Sequence, residues 1–343
     1  MKALTVTAPE KVEVREVPLT ELAPGFIRIR IEYCLICTWE KRIFTGDSPP
    51  LPFVPGHEAS GIVEEIHPDT ATSFRVGDSV VFKTLDHCGH CRFCYSGETN
   101  LCTGTSRKRQ YGGIPGSGGM AQYIDLEPSR IFKVNSDLPL EIAAFAEPLA
   151  CCYHSIMRAE ILPGDFVGIS GGGIMGQLHG ILAAMRGAKV LLIEPDSVKA
   201  ALAGKSGIHR TADPFSESMP EVIEEFTGGE KLDAFIVTTP HLSVAEEAFG
   251  YVRPSGRIIY YGSFHPKGTI PMDPNAVHYN QQVVTGSYSP STEDFFRASR
   301  LLSENLLDVR PYLNEIYGLA QAESAFRASL KPENYRIAVK MQE

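Results

Sequence analysis

The 343-residue chain has no apolar run near the length of about 20 residues that a membrane-crossing helix needs. Its first residues, Met1-Lys2-Ala3-Leu4-Thr5-Val6, alternate like a strand and lack the continuous apolar core of a secretion signal. Positive charge is short as well: 32 Lys and Arg face 41 Asp and Glu, a formal net charge of −9. That balance argues against a nucleic-acid or anionic-membrane partner. There is no internal repeat and no low-complexity tract. A soluble cytoplasmic protein is the expectation. Hydrophobic residues make up 43 % of the chain, enough for more than one domain core at this length.

Cysteines are not spread as disulfide staples would be. Cys34, Cys37, Cys88, Cys91, Cys94, Cys102, Cys151 and Cys152 are clustered, and a chain this long does not need cross-links for stability. Clustering in a cytosolic chain points to metal binding or chemistry.

The sequence is organised around Gly171-Gly172-Gly173-Ile174-Met175-Gly176. An apolar run, Phe166–Ser170, precedes it and reads as a buried strand. Gln177 to Arg186 has helical apolar spacing, and a second strand-like run, Lys189–Ile193, ends at Glu194. Strand, glycine turn, helix, strand, acid is the dinucleotide-binding pattern in its required context. Gly171 permits the tight turn, Gly173 lets backbone approach a pyrophosphate, and Gly176 lets the helix pack close. The N–H groups of Ile174 and Met175 at the helix start then face the phosphate charge. Glu194 would accept hydrogen bonds from a ribose diol and repel a 2′-phosphate, which favours NAD over NADP. Lys199 either offsets that repulsion at the cofactor or is a solvated helix charge.

The first residues read as short antiparallel strands, Glu13–Val17 and Phe26–Ile31, with Pro24-Gly25 between them. Cys37 follows, and His57 and Glu58 stand 20 and 21 residues beyond it. Thiolate, imidazole and carboxylate together suit zinc with a coordination position left open. A further acid, Glu147, heads a helical segment running to Arg158. Cys88, Cys91, Cys94 and Cys102 are spaced by three, three and eight residues, the pattern of a closed, structural four-thiolate zinc site. Residues 103–123 read as a loop. Its charge run, Arg107-Lys108-Arg109, is either solvated or receives an anionic substrate group or a partner subunit. Cys34, Cys151 and Cys152 are left over, either as small buried thiols or, for Cys34, as a redox partner of Cys37. Later strands (Ala234–Thr239, Arg257–Gly262, Val283–Ser287) alternate with a helix over 241–252, which predicts a doubly wound parallel sheet.

On these residues, and over essentially the whole chain, the sequence resembles the zinc-dependent medium-chain dehydrogenases, the alcohol and polyol dehydrogenase superfamily, nearest to its sorbitol and threonine branches. The resemblance implies an α/β protein: a GroES-like β-barrel catalytic domain (residues 1–148 and 287–343, with a structural zinc lobe at 86–104) and a Rossmann NAD-binding domain (149–286). It implies a catalytic zinc held by Cys37, His57 and Glu58, with Glu147 as an exchangeable ligand or lying behind a zinc-bound water. The second, structural zinc makes two per chain. It also implies a dimer or tetramer and a small-molecule substrate, with neither nucleic acid nor membrane as partner. The expected reaction is hydride transfer between NAD(H) and a secondary alcohol of a polyol, sugar or cyclitol. A threonine-type amino-alcohol dehydrogenase or a non-catalytic relative is the alternative. Trp39 and Arg42 occupy the positions where the polyol branch keeps relay residues, and neither side chain relays a proton. Thr38 lies one residue off, and on an extended segment it would point the opposite way. Trp39 is then a wall against a sugar face or ordinary core packing. Arg42 would orient an anionic or polyhydroxy substrate. Glu58 or Glu147 would take the alcohol proton.

Overall fold

The computed structural model describes residues 1–47, 50–104 and 109–343. The chain divides into two compact units, Met1–Ala150 with Pro290–Glu343, and Cys151–Ser289.

In the first unit, seven strands form one sheet. Its order is Leu313–Gly318, Arg336–Lys340, Ile27–Leu35, Glu58–Ile66, Ser79–Phe82, Ile131–Lys133, with Tyr123–Leu126 pairing a second time onto Ile27–Leu35. All pairings are antiparallel except the first. Alternating sequences close on one apolar interior: Ile27, Ile29, Ile31, Val63, Val80, Ile337 and Val339 share a core with Phe44 and Phe326. The end of the chain thus completes the sheet that the beginning starts.

Three local differences from the sequence reading have clear causes. Thr38–Thr45 is a helix, not an extended segment. Cys37 caps it, Glu40 closes the capping box, and Gly46 ends it at φ +86, a conformation that favours glycine. Residues 103–123 are not all loop, because Arg109–Tyr111 pairs with Ile114–Gly116. The two-residue turn is Gly112-Gly113 at φ +59 and +85, the positive pair that a tight hairpin requires. The spacing of Leu319–Ala328 reads as one helix, and the structure splits it into a 3₁₀ turn over Leu319–Gln321 and a helix over Ala322–Ser329.

The second unit is a six-stranded sheet, parallel throughout, in the order Arg210–Ala212, Lys189–Ile193, Phe166–Ser170, Leu232–Val237, Val252–Tyr260, Val283–Gly286. The first strand in sequence lies at the centre and the order reverses beside it. That is the doubly wound arrangement whose switch point receives dinucleotides. The helix Ile174–Met185 buries most of its residues, as a helix covering a parallel sheet must. Among the described residues, no helix is long and apolar enough to cross a membrane.

Candidate active site

Cys37 sits where the strand Ile27–Leu35 gives way to the helix Thr38–Thr45. Its Sγ accepts from Trp39 N at 3.2 Å. Glu40, three residues on, turns inward and is fully buried. Its Oε2 accepts from Cys37 N at 3.3 Å and its Oε1 from Gly56 N at 3.1 Å. The same Oε1 lies 2.7 Å from His57 Nδ1. This fixes the ring so that His57 Nε2 faces Cys37 Sγ at 3.5 Å. Two tetrahedral ligands of one zinc ion, at ordinary Zn–S and Zn–N lengths, stand about 3.6 Å apart. The pair therefore fits zinc. Glu40 behind the histidine is the carboxylate–histidine support such sites use.

Electrostatics follow the geometry. Burial pushes the Cys37 thiol up to about 11, with His57 pulling the other way. Burial would also raise Glu40, but the facing His57 ring and the hydrogen bonds hold its carboxyl below the usual range. A thiol raised this far needs a cation to be a thiolate at neutral pH.

Glu58 and Glu147 also meet His57: one ligand atom from each of the three lies within 4.8 Å of the others. Glu58 starts the strand after His57 and also has a second partner. Arg336 Nε donates to its Oε2 and Arg336 Nη2 to its Oε1, both at 2.7 Å. The sequence reading named neither Glu40 nor Arg336. Glu40 had a signal, the cap-to-third-residue spacing from Cys37. Arg336 had none, since it is 278 residues from Glu58.

Trp39 packs, half-buried, against the core of the first unit. Arg42 is half-buried in the last turn of the same helix, where its carbonyl accepts from Gly46 N and Asp47 N. On a helix, Thr38 and Trp39 diverge by about 100° rather than pointing oppositely, so the alternation argument about Thr38 does not apply. Arg107 and Lys108 lie outside the described residues, and Arg109 pairs with Asp86 at 2.7 Å.

Cys88, Cys91, Cys94 and Cys102 converge without cross-linking. The Sγ separations Cys91–Cys94, Cys91–Cys102 and Cys88–Cys102 are 3.6, 3.8 and 3.6 Å. Four thiolates on one tetrahedral zinc stand about 3.8 Å apart, so this set fits as well. Cys102 Sγ also accepts from Cys88 N at 3.2 Å and Gly104 N at 3.3 Å, bonds that stabilise thiolate. Of the remaining thiols, Cys34 and Cys152 are buried and Cys151 is half-buried.

In the second unit, Gly171 adopts φ +93, and a Cβ there would meet Thr239 Cγ2 at 2.7 Å. At Gly176 a Cβ would sit 1.7 Å from Gly171 O, so only glycine lets the helix begin so close to the turn. A Cβ on Gly173 would meet nothing within 4 Å; the helix N-terminus opens here, with Ile174 buried and Met175 half-buried behind it. Glu194 folds back on the turn: Oε2 accepts from Gly172 N and Oε1 from Asp196 N at 2.8 Å. A cavity of 780 Å³ opens beside Gly171 and Glu194, walled by Pro214, Phe215 and Tyr251. Lys199 Nζ is 3.9 Å from Asp196 Oδ2.

Fold and ligand sets together define a zinc-binding dehydrogenase class, and comparison with known proteins agrees. Residues 23–136 match the alcohol dehydrogenase GroES-like domain and residues 175–304 the zinc-binding dehydrogenase domain. An alcohol dehydrogenase from Geobacillus stearothermophilus is 28 % identical over 99 % of this chain and 100 % of its own length. An erythritol/L-threitol dehydrogenase from Mycolicibacterium smegmatis is 30 % identical over 79 % of this chain and 78 % of its own. The crystal structure of galactitol-1-phosphate dehydrogenase from Escherichia coli superposes with TM-score 0.87 at 23 % identity, covering 99 % of this chain and all of that one. The chain belongs to the zinc-dependent medium-chain alcohol and polyol dehydrogenase family, and it is an NAD(P)-dependent oxidoreductase.

Proposed function

We propose that the protein oxidises a secondary alcohol of a polyol or sugar with NAD, through Cys37, His57, Glu58 and Glu147 in the first unit and the Gly171–Gly176 turn in the second. The observation that carries this reading is the ligand set itself. One thiolate and one imidazole stand at zinc spacing, with two carboxylates rather than a second thiolate beside them. The 30 %-identical relative acting on erythritol and L-threitol supports the same substrate class.

The chemistry is a two-electron oxidation. The carbinol C–H leaves as hydride, the O–H proton goes to a base, and a C=O bond forms. Bound zinc would polarise the alcohol oxygen and lower its pKa, and bound nicotinamide would accept the hydride. The protein's residues do the rest. Glu40 orients His57. Arg336 holds Glu58 in place through two hydrogen bonds. Glu58 or Glu147 would receive the alcohol proton. Trp39 packs against the core and can also wall a sugar face, and Arg42 would orient an anionic or polyhydroxy substrate.

NAD is favoured over NADP because Glu194 puts a buried negative charge where a 2′-phosphate would lie. Lys199 has Asp196 for a neighbour and is not free to offset it. Cys88, Cys91, Cys94 and Cys102 hold a second, structural zinc, giving two per chain. Unlinked thiols at that spacing suit the reducing cytoplasm. The edge strand Val283–Gly286, half-exposed and paired on one side only, supports a homo-oligomer built on that edge. The test is a screen of zinc-loaded protein with NAD and NADP against polyols, cyclitols, sugar phosphates and amino alcohols, following reduced nicotinamide. Turnover confined to amino alcohols would replace the polyol reading.

A further inference from the structure

The helix Leu242–Tyr251 turns one face to the 780 Å³ cavity beside Gly171: Ser243, Glu247 and Tyr251, spaced by four residues, all line it. Three carboxylates line that cavity, Glu194, Glu217 and Glu247, and among the described residues no Lys or Arg does. Two of the three are engaged by backbone. Glu194 accepts from Gly172 N and Asp196 N, and Glu217 Oε2 accepts from Asp213 N at 2.8 Å, with Arg210 3.8 Å from its Oε1. Glu247 differs. Its Oε2 accepts from the Tyr251 hydroxyl at 2.6 Å, and its Oε1 accepts from no described residue. Tyr251 is 7 % exposed, and its ring stands edge-on to Phe235 with centroids 5.3 Å apart, so a fixed wall braces the carboxylate. Burial and Glu247 push the Tyr251 hydroxyl above its ordinary pKa, which keeps it a donor. Phe235 also lines the cavity and is in register with Gly168, three residues before Gly171. The cavity therefore reaches about 10 Å down the sheet from the glycine turn, at about 3.3 Å per residue. At its mouth Phe215 is 87 % exposed, a flat apolar face left to solvent.

Apolar walls, acidic polar points and no cation suit a flat neutral ring that carries a hydrogen-bond donor. We propose that Glu247, held by Tyr251, reads the exocyclic amine of the cofactor's adenine and so selects the base. This rests on the dinucleotide reading of the Gly171–Gly176 turn and extends it to a residue 71 positions beyond that turn. Adenine's amine donates, and a carboxylate only accepts, so Glu247 Oε1 is the matching partner. Hypoxanthine puts a carbonyl oxygen at the same place and sets acceptor against acceptor. A site built to bond one group rejects the analogue that lacks it. Glu247 touches the base; Tyr251 is a positioning residue that acts through it.

The test compares NADH with reduced nicotinamide hypoxanthine dinucleotide, which differs only in that base, by nicotinamide fluorescence titration of the zinc-loaded protein. The native protein is expected to bind NADH about tenfold tighter, the effect of one mismatched hydrogen bond. Glu247→Gln can turn either its amide oxygen or its amide nitrogen to the base, so the two affinities should come within about twofold. Tyr251→Phe should narrow the ratio as well; a wall that is merely damaged would weaken both dinucleotides alike and leave the ratio unchanged. Equal affinities in the native protein, or a native ratio retained in Glu247→Gln, overturn the proposal while leaving the dinucleotide site in place. No binding of NADH at all by the native protein overturns that site together with the proposal.

Discussion

Arg336 and Glu58 meet through two 2.7 Å hydrogen bonds, the arginine side chain 4 % and the carboxylate 1 % exposed. Each is the other's counter-charge in an environment that solvates neither. Removing one partner therefore strands a buried charge, which costs about 3–5 kcal/mol, whereas removing both together costs much less. Glu58→Gln and Arg336→Met are expected to lower the thermal midpoint clearly, and the double variant to recover part of the loss. Melting curves of the four proteins check this. Additive losses would mean that the pair is not coupled.

Glu40 would act on a bound zinc through His57. Glu40→Gln keeps the shape and an acceptor for Gly56 N, but removes the charge that holds the His57 ring. Loss of such a supporting carboxylate weakens metal affinity about 10–100-fold. Competition with a chelator, read as zinc retained per chain, is the measurement. The Cys88–Cys102 site should keep its ion, so the variant falls towards one zinc per chain under conditions where the native protein holds two.

Gly104 guards that second site. A Cβ there would meet Cys88 Cβ at 2.6 Å and its Sγ at 2.9 Å. Gly104→Ala is expected to displace Cys88 and release the structural zinc first. The catalytic site, built from other elements, should retain its own. Metal analysis after dialysis shows which ion leaves; loss of both together would tie the two sites to one folding event.

Glu194 is expected to set cofactor choice by charge. Glu194→Gln keeps one acceptor oxygen, so NADH binding should weaken only modestly. The repulsion against a 2′-phosphate disappears, and NADPH should gain about tenfold relative to NADH, an effect of about 1.4 kcal/mol. Nicotinamide fluorescence titrations give both constants. An unchanged ratio would move the discrimination elsewhere in the cavity that Pro214 and Phe215 wall.

The parallel sheet was readable because burial on both faces leaves continuous apolar runs: Phe166–Ser170 and Lys189–Ile193 begin and end where the sequence puts them. Ligand types were readable because metals demand a short menu of side chains at short spacings. The helix at Thr38–Thr45 was not, because its start signal is a cysteine in the capping position, where serine or aspartate is usual. The same misreading hid Glu40, whose inward turn exists only on a helix. Arg336 was hidden for a different reason. A long-range ion pair leaves no periodicity, and an arginine at the start of a strand looks like any solvated charge.

His179 gives the protein an acid limit. It lies fully buried on the helix Ile174–Met185; Nδ1 donates to Met175 O at 2.7 Å, and Nε2 has no partner among the described residues. The ring stands edge-on to Tyr261, centroids 4.6 Å apart. Burial pulls its pKa down to about 4, against about 6.5 in an unfolded chain. Above the unfolded value the ring is neutral in both states and contributes no pH dependence. As pH falls below it, the unfolded chain takes up a proton that the native state refuses, and stability is lost until pH reaches the folded value. A depression of this size corresponds to about 3 kcal/mol across that window. His179→Gln keeps a donor for the Met175 carbonyl and cannot titrate, so its denaturation midpoint should fall less steeply between pH 6.5 and pH 4 than the native protein's. The two curves should run parallel above pH 7. Parallel curves over the whole range would mean that water reaches Nε2 and that the ring takes up its proton in the folded state as readily as in the unfolded one.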